Sequence, residues 1–146
     1  MLAAGGKVAL SEPAVSAAFR DVFDESLSPM RHLEAVRVAF FAPGNDPSVW
    51  RGGWNVPTMK MQLAAFRATS VDDWWSAGGH VPILVIQGLQ DRATPPENGR
   101  LLKAEAPDRV ELIEVDGAGH ALLPVKPAQI SGAVTTFLRK MAGSSR

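Results

Sequence analysis

The chain has 146 residues, and its 15 Lys and Arg balance its 15 Asp and Glu. That neutrality provides no overall field to attract nucleic acid or an anionic membrane. Cys is absent, so disulfides and thiolate metal sites are excluded, and 46% apolar with 21% charged residues matches an ordinary soluble globular chain. A single domain of about this size buries roughly 70% of the surface of its unfolded chain. No apolar run approaches the ~20 residues of a membrane span. The N-terminus, with only Lys7 ahead of a short mixed stretch, does not read as a signal peptide, and a cytoplasmic location is expected.

Helices come first along the chain. Ser11 suits an N-cap with Pro13 in the first turn, and Val15, Ala18, Phe19, Val22 and Phe23 follow the spacing of one apolar helix face. This helix is expected to stop within residues 24–28. Ser28 and Pro29 start another, with Leu33, Val36 and Phe40 on one face, ending before Pro43-Gly44. Residues 45–53 read as loop. A third helix is expected over residues 57–68, with Met59, Leu63 and Phe66 along one side. Ser70-Val71-Asp72-Asp73 reads as an N-cap box for a short turn carrying Trp74 and Trp75. Gly78-Gly79 closes the helical stretch.

From residue 81 the period changes. Residues 83–86 form a continuous β-branched and Leu run, the pattern of a parallel strand covered on both faces. Residues 97–106 read as helix, 110–115 as strand and 127–141 as a last helix. Its Ile130, Val134, Phe137, Leu138 and Met141 make one apolar stripe. Strand, helix, strand and helix in that order imply a parallel pair with a right-handed crossover. There is no internal repeat, and the end of the chain from residue 142 reads as a frayed tail.

Both strands end in Gly-containing turns that present a residue fit for proton chemistry. VPILVIQ, at residues 81–87, runs into Gly88-Leu89-Gln90-Asp91-Arg92-Ala93-Thr94-Pro95-Pro96; the second strand runs into Asp116-Gly117-Ala118-Gly119-His120. Alone, Asp91 is as well explained as a turn former or helix cap, and His120 as a turn histidine. Together they sit just beyond the C-terminal ends of two strands, where open α/β sheets build their sites. Their 29-residue spacing fits one helix and one strand. An Asp that orients a His is two-thirds of a nucleophilic triad. Turns on adjacent parallel strands lie about 5 Å apart, so the two side chains are expected within hydrogen-bond reach. The third member, a Ser or Cys on a G-x-S-x-G elbow, is not in the sequence.

The order strand, G-x-x-D-x-x-x-P-P, helix, strand, G-x-G-H, helix resembles the C-terminal part of an α/β-hydrolase, with Leu122, Pro124 and Pro127 extending the match. The resemblance implies an α/β fold, here a partial one: a helical cap followed by parallel strand–helix–strand–helix. It divides the chain into residues 1–8, a core-strand remnant containing Leu2-Ala3-Ala4; 9–80, a cap-like helical region; 81–141, the C-terminal core segment; and 142–146, a tail. It makes Asp91 the acid and His120 the general base. The nucleophile elbow, the oxyanion donors and the first five strands of such a fold are missing.

What the resemblance implies chemically is acyl transfer or hydrolysis of an ester, amide or C–C bond in a small-molecule substrate of the complete enzyme. It calls for no metal or organic cofactor. Epoxide hydrolases of this fold use cap tyrosines, and the absence of Tyr speaks against that branch. Trp50, Trp54, Trp74 and Trp75 are candidate substrate contacts, with gluing a thin cap to the sheet an equal alternative. His32 reads as a solvated surface residue, His80 has no partner at metal-ligand spacing, and Met59 and Met61 read as core filler. The chain is expected to be inactive alone. A non-catalytic binding domain using the Trp-rich cap, and one half of a split hydrolase, are the alternatives. Self-association through an exposed edge of strand 83–86 is also expected.

Overall fold

The computed structural model describes residues 1–10, 12–52, 54–75 and 79–143, with the side chain of Trp74 outside the description. The expected cap at Ser11 and the Gly53 and Gly78 positions therefore lie outside the described residues. Helix α1 (Pro13–Asp21) buries Val15 and Ala18, and Val22 follows them into the core just past its end. Helix α2 (Pro29–Phe40) starts where the Ser28 hydroxyl accepts the Arg31 amide. Its Ala35, Val36, Ala39 and Phe40 pack on α1 and on Ala93 and Ala121 of the strand-end turns. Residues 45–53 are not all loop: Asp46 caps a single 3₁₀ turn, Pro47–Trp50. Helix α3 (Val56–Ala68), capped by Asn55, buries none of its residues. Helix α4 (Val71–Trp74) is one turn begun by Ser70.

Strand β1 (Ile83–Gly88) is two residues longer than expected; helix α5 (Glu97–Glu105) and strand β2 (Val110–Val115) follow. A short helix α6 (Leu122–Val125) precedes α7 (Pro127–Gly143), which runs into the expected tail. The strands pair in parallel from Ile83 with Val110 to Gly88 with Val115. All six β1 residues are buried because both faces are covered. Ile83 and Val85 pack with Trp75, Leu102 and Val110, and Leu84 and Ile86 with Val115, Leu122 and Ile130. The alternation is the two-residue period of a strand.

The second side of β1 is thinly paired. Among the described residues Leu2 makes one isolated parallel bridge with Ile86, Ala3 N donating to Ile86 O at 2.9 Å and Ile86 N to Met1 O at 2.9 Å. The free edge is the outer side of residues 1–4, where no strand pairs among the described residues. Of the α7 stripe only Ile130 is buried, while Val134 and Leu138 face outward. Among the described residues no helix is long and apolar enough to cross a membrane.

Candidate active site

The turns after β1 and β2 are laced together before either site residue is reached. Leu89 N donates to Val115 O and Gln90 N to Ala118 O, both at 3.0 Å. Gln90 also returns the contact, with Oε1 accepting Ala118 N at 3.1 Å and Nε2 donating to Asp116 Oδ1 at 2.8 Å. The Gln90 bond, with the Gly117 amide and the nearby Lys126 charge, holds the Asp116 carboxyl below its usual range. Two glycines make the crossing possible. A Cβ on Gly88 would meet the Ala118 carbonyl oxygen at 2.5 Å, and one on Gly119 would meet Phe40 O at 2.7 Å and Ala42 N at 2.9 Å. Gly117 turns the chain with φ +70°.

Asp91, 3% exposed, is held from all sides. Its Oδ1 accepts the amides of Ala93 at 3.0 Å and Thr94 at 2.9 Å, an Asx-type turn. Its Oδ2 lies 3.0 Å from His120 Nδ1, 2.8 Å from Thr94 Oγ1 and 3.2 Å from Gln87 Nε2. The two residues expected to meet do meet. A carboxylate only accepts, so Nδ1 carries the hydrogen and the Nε2 lone pair points away. Nε2 meets no hydrogen-bond partner among the described residues, and the His120 side chain is 26% exposed.

The aromatic surroundings differ in part from expectation. Phe40, not singled out in the sequence for this role, lays its ring 5.5 Å from that of His120, stacks on Trp54 at 5.6 Å and meets Trp50 edge-on at 5.5 Å. Trp50 and Trp54 thus gather one ring away from the imidazole. Trp75 does not join them: it is buried with Ala4, Ile83 and Leu102, packs against Gly6 and bonds Glu105 through its indole N–H. The Trp74 side chain lies outside the described residues. His32 is half-buried rather than solvated, with Nε2 3.0 Å from Val22 O and its ring edge-on to Trp54. Met61 is exposed, and Met59 lines a groove of about 900 Å³ between α1 and α3 with Phe19, Phe23, Leu63 and Phe66, so neither is core filler. His80 is exposed, and no cluster of three His, Asp or Glu among the described residues is placed to hold a metal.

Gln87 and Thr94 are the other site residues that the sequence reading missed. Gln87 carried one usable signal, a polar residue at the end of an apolar strand that is buried throughout.

The family model of the TAP-like proteins matches residues 54–143, more than half of the chain. Solved structures of α/β-hydrolase fold agree. An esterase from Rhodococcus sp. ECU1013 is 17% identical, with TM-score 0.55 over 86% of this chain and 47% of its own. A protein described as a non-heme bromoperoxidase, BpoC from Mycobacterium tuberculosis H37Rv, is 18% identical, with TM-score 0.61 over 95% of this chain and 56% of its own. A thermophilic esterase from Thermogutta terrifontis is 19% identical, with TM-score 0.52 over 92% of this chain and 53% of its own. The chain spans about half the length of these structures. By fold, by strand-end turns and by the matched family, the chain belongs to the TAP-like proteins of the α/β-hydrolase fold.

Proposed function

We propose that this chain supplies the general base, His120, and its orienting acid, Asp91, to a hydrolase that cleaves a small-molecule ester, amide or C–C bond by acyl transfer. The observation that carries this reading is the 3.0 Å contact between Asp91 Oδ2 and His120 Nδ1, with Nε2 unpartnered among the described residues. A nucleophilic hydroxyl placed at Nε2 would give up its proton there as it attacked the carbonyl, and Asp91 would stabilise the resulting imidazolium. That two of the similar structures are esterases favours an ester. Trp50 and Trp54 would form the apolar wall of a substrate site under a helical cap.

No G-x-S-x-G occurs in the sequence, so the nucleophile belongs to a complementary segment, whether of a longer protein or a second chain. The chain as given is expected to hydrolyse nitrophenyl acetate no faster than free imidazole. Joined to or mixed with a segment carrying the elbow and the earlier strands, it gains turnover that His120→Ala removes. A rate well above imidazole from the chain by itself, lost on His120→Ala, would put a nucleophile among its own serines and overturn this division of labour.

The same reading covers association. The open edge at residues 1–4 and the outward Val134 and Leu138 of α7 are the surfaces that earlier strands and helices would cover. Without them the chain self-associates at concentrations of about tens of micromolar, where such surfaces matter. Light scattering checks this, and a monodisperse monomer with a cooperative thermal transition would refute it.

A further inference from the structure

Asp91 is offered more donors than a carboxylate has favourable positions. Ala93 N and Thr94 N take Oδ1, while Gln87 Nε2, Thr94 Oγ1 and His120 Nδ1 converge on Oδ2. Two oxygens present about four lone-pair sites, so one donor needs a second destination. The Thr94 hydroxyl has one. It also reaches Ala3 O at 3.1 Å, and its oxygen stands 3.2 Å from His120 Nδ1. Gln87 has no such freedom. It is fully buried, its Nε2 donates to Asp91 Oδ2 at 3.2 Å and to Thr94 O at 2.9 Å, and its Oε1 accepts Ala4 N at 2.9 Å. Ala3, at φ +48°, is the one non-Gly residue with positive φ among the described residues, at the junction where its carbonyl meets Thr94 and the next amide meets Gln87.

We propose that Gln87 and Thr94 are positioning residues that hold the Asp91 carboxylate in line with His120 Nδ1. The inference rests on the reading of Asp91 and His120 as acid and base. Gln87 fixes Oδ2 from the strand side and cannot turn, because its own oxygen is committed to Ala4. Thr94 adjusts. With its proton on Asp91, the hydroxyl holds the carboxylate beside a neutral ring. With its proton turned to Ala3 O, Oδ2 is left to Gln87 and His120, and Oγ1 offers a lone pair to the same Nδ1–H. The second arrangement suits an imidazolium, whose N–H bonds are charge-assisted.

Nitrogen-15 NMR of the His120 ring in the intact chain, at an alkaline pH where the ring is neutral, reads the alignment as a tautomer ratio. The unmodified chain is expected to hold the Nδ1–H form in excess. Thr94→Val and Gln87→Met are each expected to shift the ratio toward Nε2–H by about fivefold, the weight of one ordinary hydrogen bond. Thr94→Ser keeps the hydroxyl and is expected to restore the ratio. A shift in Thr94→Val that Thr94→Ser does not reverse would mark a packing effect and overturn the proposal. So would an unchanged ratio in Thr94→Val while Asp91→Asn still reverses the tautomer. An unchanged ratio in Asp91→Asn instead removes the acid–base reading itself.

Discussion

Asp91→Asn, in the chain completed by its nucleophile-bearing segment, is expected to lower kcat by about ten-thousandfold, the scale set by a wrong imidazole tautomer. The reason lies in the donor count. The substituted carboxamide can still accept the Ala93 and Thr94 amides through its oxygen, which leaves its NH₂ facing His120 Nδ1 and Gln87 Nε2. Gln87 cannot turn its oxygen to meet that NH₂, because Oε1 is bonded to Ala4 N. The imidazole can, by moving its hydrogen to Nε2, and it then has no lone pair to offer the proposed nucleophile. Two donors left face to face cost about 1–3 kcal/mol of stability, so the variant folds and the loss is chemical. Steady-state kinetics on a folded sample checks this, and a loss below about tenfold would deny Asp91 the orienting role.

Gly88→Ala carries the largest expected loss of stability, about 3 kcal/mol, because the new methyl meets backbone and not a movable side chain. The obstructing atoms are the carbonyls of Ala118 and Gly119, so relief requires the His120 turn to shift. Gly44→Ala is the control. Gly44 sits at φ +85° with nothing within 4 Å of a Cβ, so only backbone conformation is at stake. Its expected cost is about 1 kcal/mol. Urea midpoints at constant slope separate the two. Equal losses would mean that close approach at the turn crossing is not what Gly88 provides.

The legible parts of the fold were those written in local pattern. β2 was read with its observed bounds because its apolar run is bracketed by turn residues, and the start of α2 because Ser28-Pro29 is a strong start signal. The Asp91–His120 pair was legible because parallel strands deliver successive turns to the same end of a sheet. What was missed depends on residues far apart in sequence. Gln87 reads as the end of an apolar strand, and its partner Ala4 is 83 residues away. Trp50, Trp54 and Trp75 are alike as residues, and only packing sends the last of them under Gly6, away from the other two. The α3 stripe had the right period for a helix, yet period does not say whether a partner is there to cover it.

Phe40 gives the site a mechanical asymmetry. It closes α2, its carbonyl accepts the Ala121 amide at 2.9 Å, and its ring lies along the imidazole. Swinging α2 off the strands would break that bond and strip the base of its apolar face in one motion. α3 is the reverse case, since it buries no residue and lifting it uncovers little. The two helices therefore differ in what holds them: α2 is latched to the His120 turn through its last residue, while α3 has no buried side chain to anchor it.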